Sequence, residues 1–254
     1  MRSRFLEWYY ERNRRPGRDH LVALLERMMP KLSRIAGLVN AVQSLGVTRA
    51  VVARYLGMVD LPKLSTDRLV PALKRMNLRP MSCAEILSLD ASERDRLVVL
   101  IQDVFTSCYD TRAVLSQVAL VQELGYRPVV LAYQESGKPL HVQGFLKRFD
   151  RIAGRNAANL ADLASAGLRL VGVEISTTLI YRHEYQSVNK NLAPYTVQLL
   201  SEWLAGIALP KLSCPVRYRS SGNDRAMAFD FSRRWSGYGY YPDGLLRCVR
   251  AVWP

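Results

Sequence analysis

Most of the reactive side chains in the middle of the chain lie in three short stretches: DVFTSCYD (103–110), QESGKPLH (134–141) and STTLIYRHEY (176–185). Each stretch follows an apolar run that is typical of a buried strand. Because the loops after parallel strands meet at the carboxyl edge of a sheet, where ligands bind, this pattern predicts a polar site there. The candidate residues are Asp103, Cys108, Lys138, His141, Ser176, Thr178, Arg182, His183 and Glu184.

Three kinds of chemistry fit these residue types. Cys108, His141 and His183 suit a zinc site, and the thiol beside a histidine suits a nucleophile. Because no CxxC or other paired-ligand spacing is present, we favour a buried thiol and two loop histidines. Lys138, His141 and Arg182 need only converge to hold a carboxylate or another anion, so we rank that site higher. Structural or solvated roles fit equally well, and GxGxxG, P-loop, HExxH and GxSxG motifs are missing.

The elements that must position this edge alternate between strand and helix. Continuous apolar runs predict strands at 96–102, 127–133 and 168–175, and helices are expected at 110–125 and 140–167. Strands that are apolar on both faces belong to parallel sheets covered by helices. The sequence therefore predicts an α/β fold with a parallel βαβαβ sheet over residues 96–210.

A helical segment is expected before this domain, at residues 1–60, followed by a proline-rich connector at 61–95. Pro30 should kink or divide the helix, and Gly46 and Gly57 stand where helices would end. The apolar stripe that predicts this segment comprises Leu21, Leu24, Leu25, Met28, Leu32, Ile35, Val39 and Val42.

Composition places the chain among globular proteins: 254 residues, 49% of them hydrophobic and 23% charged. No run of about 18 uncharged apolar residues predicts a membrane span, and the basic start has no secretory apolar core. The four cysteines form no CxxC pair, which favours a reduced, cytoplasmic setting.

The net charge of +14 is concentrated at the two ends, with +6 in residues 1–60, +3 in 61–210 and +5 in 211–254. Basic ends can bind nucleic acid or an anionic membrane surface. A solvated basic face is the simpler interpretation, and we favour it. Binding of nucleic acid or anionic membrane stays the alternative function, and a steep loss of binding with added salt would support it.

A longer pattern resembles a known family. Residues 136–185, together with DVFTSCYD and VQLLSEWLAG (197–206), resemble the C-terminal cysteine-rich domain of large bacterial FAD-linked D-2-hydroxyacid dehydrogenases of the D-lactate and D-2-hydroxyglutarate type. KPLHVQGFL (138–146) and YRHEY (181–185) are the clearest motifs, although the family usually has Tyr-Arg-Asp-Glu-Tyr in the second. The pattern is more distantly similar to iron–sulfur subunits of glycolate oxidase, anaerobic glycerol-3-phosphate dehydrogenase and heterodisulfide reductase.

This resemblance implies oxidation of a D-2-hydroxyacid, with electrons passing through FAD and a 4Fe-4S cluster in the full-length family. RSRFLEWYYERNRRP (2–16) looks like the segment after the ferredoxin-type cysteines. The chain would then be a fragment that is inactive alone, binds no cofactor and partners the missing flavin and ferredoxin-like parts. No specific nucleic acid is expected, and the setting is cytoplasmic with possible peripheral contact at the inner membrane.

The resemblance also suggests roles for individual residues. Lys138, His141, Arg182 and Glu184 are the candidates for contacts with an anion or with another domain, and no catalytic or metal-binding residue is assigned. Asp103 stands near a position where the related subunits have a cysteine, which weakens the expectation of cluster binding.

The family's Cys-Cys-Gly signature is missing, and the resemblance ends after Leu209. Leu245-Leu246-Arg247, read one base out of register with suitable codons, gives Cys-Cys-Gly, and Met227-Ala228 then gives the Trp expected before it. We therefore predict that residues 211–254 are a frameshifted, poorly ordered tail. The alternatives are an Arg/Tyr-rich RNA-binding tail and a non-functional remnant with exposed partner surfaces. The encoding DNA would decide.

Overall fold

A computed structural model describes residues 2–57, 61–188 and 192–208 of the chain. Its sheet has four parallel strands in the order β2-β1-β3-β4. This arrangement confirms the α/β prediction. The predicted tail at 211–254 lies outside the described residues. The strands are β1 (Leu97–Ile101), β2 (Arg127–Val130), β3 (Arg169–Gly172) and β4 (Val197–Leu199).

Helices make up most of the described chain. In chain order they are α1 (Arg2–Arg12), α2 (Gly17–Leu32), α3 (Ala36–Ser44), α4 (Gly46–Leu56), α5 (Leu69–Arg75), α6 (Cys83–Leu87), α7 (Val104–Cys108), α8 (Thr111–Glu123), α9 (Lys138–Val142), α10 (Leu146–Ser165), α11 (Ile175–Val188) and α12 (Leu200–Ala208). The chain divides at residue 200, and the sheet and α1–α11 lie before that point. The predicted domain boundaries at 60, 95 and 210 stay predictions.

The core forms around β1, all five residues of which are buried. Helix α10 presents Phe149, Ala153, Ala157 and Leu160 to this core, at the spacing that places side chains on one face of a helix. Tyr185 of α11 is fully buried in the same cluster. Full burial of each large apolar side chain stabilises the fold by about 1.5–3 kcal/mol, and this layer holds the strands whose ends form the polar edge.

The predicted helix at 140–167 is wrong as one piece, because the chain breaks at Gly144 between α9 and α10. Gly144 has φ +72, and a Cβ there would lie 2.8 Å from the carbonyl oxygen of Ser3 and 2.9 Å from the amide of Glu7. Arg15 fixes the same turn, since its guanidinium donates to the Gly144 carbonyl at 3.3 Å. The guanidinium carbon also lies 3.9 Å from the ring centroid of Phe145. The break therefore lets α1 pack directly on the turn.

Two predicted loops are also wrong, because both are largely helical. The DVFTSCYD stretch contains α7, and STTLIYRHEY forms most of α11, so that β3 stops at Gly172 rather than at residue 175. Strand β4 was missed, since three residues give too short a pattern. The predicted helix bounds at 110, 125 and 167 agree with the structure: Asp110 directly precedes α8, and Gly125 and Gly167 follow α8 and α10 in the left-handed conformation.

The N-terminal segment is helical as predicted, and its packed face agrees with the predicted stripe in part, since Leu25, Leu32 and Val39 are partly buried against a core cluster. In α2 the buried residues are Asp19, Ala23 and Glu26, whereas Ile35 and Val42 of the stripe are exposed. Pro30 lies inside α2 without ending it. Gly57 ends α4 as expected.

Two further details of residues 1–95 differ from expectation. Gly46 begins α4 rather than ending α3, because Leu45 before it has the extended backbone of an N-cap residue. The predicted connector contains α5 and α6, which bury Leu73 and Ile86.

Within the described residues, no single helix has the length and apolar character needed to cross a membrane. The segments Gly17–Ser44 and Gly46–Tyr55 meet at an angle of 85°, and they reach the necessary length and apolar character only when they are taken together.

Candidate functional site at the carboxyl edge of the sheet

The candidate site lies where β1 and β3 end side by side. In the strand order, β2 lies next to β1 on one side, and β4 lies next to β3 on the opposite side. The chain therefore leaves β1 and β3 in opposite lateral directions. Adjacent strands whose connections leave in opposite directions form a crevice at their carboxyl ends, and ligands of open α/β sheets bind there. The structure therefore places the three predicted reactive stretches at one edge.

Asp103 follows β1 and is buried. Its carboxylate accepts hydrogen bonds from the Thr106 amide at 2.9 Å and the Thr106 hydroxyl at 2.7 Å, and the Asp103 amide bonds that hydroxyl at 3.2 Å. This reciprocal pattern is a capping box, which satisfies amides at the start of α7. The second carboxylate oxygen accepts from the Thr177 hydroxyl of α11 at 3.4 Å. Asp103 thus links the ends of β1 and β3.

Glu174 follows β3 and has the same capping role for α11. It accepts from the amides of Ser176 at 3.0 Å and Thr177 at 2.6 Å. Partial burial alone would raise the pKa of Glu174, but the hydrogen bonds from Ser176 and Thr177 outweigh it and lower that pKa to about 2. The group is therefore a carboxylate at neutral pH.

Lys138, the first residue of α9, supplies the positive charge at this edge. Its ammonium lies 3.1 Å from Glu174 Oε2 and 3.4 Å from the Thr177 hydroxyl, and it also bonds the Ser176 hydroxyl. Both side chains of the ion pair are about three-quarters buried, at 21% and 26% exposure. The pair joins the loop after β2 to the loop after β3, so an incoming anion would have to compete with Glu174.

The loop after β2 is held from the other side by Glu26 of α2. This buried carboxylate accepts hydrogen bonds from the Ser136 hydroxyl and, at 2.7 Å, from the Gly137 amide. Burial raises the pKa of Glu26, opposed by these two bonds. Two tyrosines complete the support: Tyr133 donates to the Glu26 carbonyl and Tyr185 to the Ser136 carbonyl, each at 2.7 Å.

The structure brings together two of the four predicted contact residues. His141 Nε2 lies 3.2 Å from Glu184 Oε2 and 3.3 Å from the Ser3 hydroxyl. Lys138 instead pairs with Glu174. Arg182 is half-buried and lies two residues before Glu184 on α11, so the two side chains leave different faces of the helix. Their role in contacting an anion or another domain stays a prediction.

The thiol of Cys108 does not suit a nucleophile or a metal ligand. It is buried at the end of α7, and burial raises its pKa to about 11 despite a hydrogen bond with Ser33. His183 is exposed on α11. Across residues 2–57, 61–188 and 192–208, no three His, Cys, Asp or Glu side chains are placed to hold a metal ion. The weighed Cys108–His141–His183 zinc site is therefore not formed.

Sequence reasoning missed Glu26 and Glu174, which organise the edge. Glu174 gave little signal, because glutamate is not among the preferred N-cap residues. Glu26 could have been found from its spacing, since Asp19, Ala23 and Glu26 repeat at four and three residues and so share one helix face. Together these contacts hold the ends of β1, β2 and β3 in one rigid polar layer.

Comparison with known proteins gives a consistent picture. No protein-family model matches the sequence, and no solved structure does so. The chain is similar to D-2-hydroxyglutarate dehydrogenases from Pseudomonas putida, at 39% identity over 206 residues, from Escherichia coli, at 38% over 205, and from Haemophilus influenzae, at 37% over 204. The matches cover 80–81% of this chain but 20% of each relative.

The chain therefore spans about a fifth of the length of the curated relatives it matches. The relatives are named for oxidation of a D-2-hydroxyacid, and the predicted resemblance is confirmed at that level.

Proposed function

We propose that this chain is a non-catalytic segment of an FAD-linked, iron–sulfur D-2-hydroxyacid dehydrogenase and that it is inactive alone. The reaction would oxidise the C2 alcohol of D-2-hydroxyglutarate, or of D-lactate, to a ketone, with two electrons and two protons leaving the substrate. The observation that carries the proposal is the 37–39% identity to D-2-hydroxyglutarate dehydrogenases over about four-fifths of this chain. Its partners would be the flavin and ferredoxin-like parts of such an enzyme.

The described residues do not fit an iron–sulfur cluster. A 4Fe-4S cluster takes four cysteine thiolates, whereas the described part of the chain contains Cys83 and Cys108, and both are free thiols. Burial raises the pKa of each thiol, which opposes formation of the thiolate that binds iron. We therefore assign the cofactors to the partner part of the enzyme and derive no electron-transfer step through this chain.

What the chain would contribute is a rigid edge. Lys138, Glu174 and Asp103 hold three strand ends together, and Glu26 ties them to the helical segment. Such a layer suits a surface that positions another domain, since its ion pair and hydrogen bonds keep the loops in one arrangement.

Reconstitution tests the proposal. The Pseudomonas putida relative, lacking the segment that this chain matches, would be co-expressed with this chain, and oxidation of D-2-hydroxyglutarate would be followed with a dye electron acceptor. We expect no oxidation by either part alone and measurable oxidation by the two together. The relative's own segment, supplied in the same way, is the positive control.

Two results would contradict the proposal. One is a failure of this chain to restore oxidation where the relative's own segment succeeds. The other is stoichiometric iron or FAD in the purified chain alone, measured by elemental analysis and absorbance.

A further inference from the structure

Helices α3 and α4 turn an ordered row of apolar side chains toward solvent. We call this row the α3–α4 apolar face. Its members and their exposed fractions are Leu38 (64%), Val42 (44%), Leu45 (58%), Val47 (78%), Val51 (49%) and Tyr55 (78%).

The spacing of these residues makes the row continuous. Leu38, Val42 and Leu45 follow one another at four and three residues, and Val47, Val51 and Tyr55 at four and four, so each set lies along one side of its helix. The segment Gly17–Ser44, which ends with α3, and the segment Gly46–Tyr55 of α4 meet at an angle of 85°. Leu45 and Val47 flank that corner, so the two rows adjoin.

The opposite side of α3 is firmly attached, which fixes the outward direction of the row. The side-chain amide of Asn40 donates to the Leu64 carbonyl at 2.8 Å and accepts from the Leu64 amide at 2.8 Å. Ala36 is buried beside Leu64 and Cys108, with Val39 packed against them. The exposure of the apolar row is therefore set by the packing of α3.

We propose that the α3–α4 apolar face is the surface on which the remainder of the dehydrogenase docks. This inference rests on the proposed function. The matches cover 20% of each relative, so about four-fifths of the relative's polypeptide lies outside the matched segment and is available to pack against it. Soluble monomers rarely leave large contiguous apolar patches uncovered, and here six apolar side chains stand in one row.

The chemistry of the face favours a protein partner over a lipid surface. Helices that lie on membranes carry Lys and Arg on the polar side and Trp, Phe or Leu on the other. Helix α3, with sequence AGLVNAVQS, has no charged residue, and α4 has no lysine and only two arginines, Arg49 and Arg54, which lie outside the row of Val47, Val51 and Tyr55. Uncharged aliphatic side chains around a tyrosine are typical of the core of a protein–protein interface.

Co-purification tests this surface directly. This chain, carrying an affinity tag, would be co-expressed with the Pseudomonas putida relative that lacks the matched segment, and the recovered ratio of the two would be measured. Val47→Lys combined with Val51→Lys should lower that ratio at least tenfold. Because lysine forms helices better than valine, the variant should keep its helical circular dichroism.

Ala53→Lys is the matched control. Ala53 is exposed on α4 and lies two residues from Val51, so it leaves another side of the helix. This variant should keep the wild-type ratio. In the wild-type complex, amide hydrogen exchange of residues 38–55 should slow relative to the chain alone.

Three outcomes would overturn the inference. The first is recovery of the double variant at the wild-type ratio. If D-2-hydroxyglutarate oxidation is nevertheless restored, this result overturns the docking surface but leaves the proposed function standing. The second is unchanged recovery together with loss of self-association in sedimentation or of binding to phosphatidylserine vesicles, which would assign the face to a second copy or a membrane. The third is the absence of any wild-type complex when the relative's own segment forms one.

Discussion

The carboxylate of Glu26 accepts a 2.7 Å hydrogen bond from the backbone amide of Gly137, across 111 residues of sequence. Glu26 belongs to the N-terminal helical segment, and Gly137 belongs to the loop after β2, so the bond joins the two parts of the fold at the candidate site. The Ser136 hydroxyl donates to the other carboxylate oxygen. Loss of this carboxylate would leave two buried donors without an acceptor, and a buried unpaired donor lowers the free energy of unfolding.

Replacing Glu26 tests this joint. Glu26→Ala leaves the Ser136 hydroxyl and the Gly137 amide without an acceptor, so the free energy of unfolding should fall by about 1–3 kcal/mol. Glu26→Gln should cost less, since its carbonyl can accept from Gly137 while its amide donates to Ser136. Urea denaturation measures both. Arg27→Ala, at the exposed neighbouring position, should change stability by about 0.5 kcal/mol or less.

Glu26 also predicts a dependence on pH. Burial, together with the nearby charge of Glu135, raises its pKa above 4.5, and the bonds from Ser136 and Gly137 oppose that shift. A carboxyl group whose pKa is higher in the folded state costs stability as the pH rises above the unfolded value. Wild-type protein should therefore lose stability relative to Glu26→Gln as the pH is raised from 4.5, the ordinary pKa of the group, toward neutrality. A constant difference across that range would count against the buried carboxyl.

The sequence predicted the class of the fold because its evidence is local. The continuous apolar runs of β1, β2 and β3 and the one-sided face of α10 are patterns of neighbouring residues, and the structure retains them. The break at Gly144 could not be predicted in this way, since α1 approaches that turn from a distant part of the chain. The N-terminal stripe was correct only in part, because Leu25, Leu32 and Val39 pack against a buried cluster whereas Ile35 and Val42 are exposed. Periodicity shows that an apolar face exists without showing what covers it.

The sequence predicted which stretches lie at the carboxyl edge but not how their side chains pair. The reactive stretches do meet at the carboxyl edge, and His141 does lie beside Glu184. The partner of Lys138 was missed, because Glu174 was assigned to the predicted strand and its hydrogen bonds to Ser176 and Thr177 depend on where α11 begins. Pairing between side chains from three strand ends is a tertiary property that a single sequence does not specify.

Glu174 should contribute to stability at neutral pH and lose that contribution in acid. Its pKa is lowered to about 2, so its stabilising effect is present above the unfolded value of 4.5 and disappears as the pH falls toward 2. Glu174→Gln should lower the free energy of unfolding by about 1–2 kcal/mol at pH 7. In urea denaturation the difference from wild type should shrink by pH 3.

Glu174 both pairs with Lys138 and caps the start of α11, and Lys138→Met separates these two roles. It removes the ion pair but leaves the Ser176 and Thr177 amides bonded to the carboxylate. The expected loss is about 1 kcal/mol or less, because a partly exposed ion pair is screened by solvent. A larger loss than for Glu174→Gln would show that capping is not the main role of Glu174.

Cys108 should be the slower of the two described thiols in alkylation. Burial raises its pKa to about 11, and the reactive thiolate is scarce at pH 8. Cys83 is half-buried, so iodoacetamide should label it first in the folded protein, and labelling of both should become equal in urea. Peptide mass mapping gives the two rates. Faster labelling of Cys108 in the folded state would mean that α7 opens at its end.

Gly144 should tolerate no side chain, whereas Gly154 in α10 should. Gly144→Ala places a Cβ within 2.9 Å of the α1 backbone and forces a left-handed alanine, which alone costs about 1–2 kcal/mol. A Cβ at Gly154 meets nothing within 4 Å, so Gly154→Ala should raise stability by up to about 1 kcal/mol through helix propensity. Thermal and urea unfolding compare the two variants.

Because backbone atoms of Ser3 and Glu7 cannot rotate away as a side chain can, Gly144→Ala should also release α1, which hydrogen exchange of residues 2–12 would detect. Unchanged protection of α1 in this variant would contradict the direct packing of α1 on the α9–α10 turn.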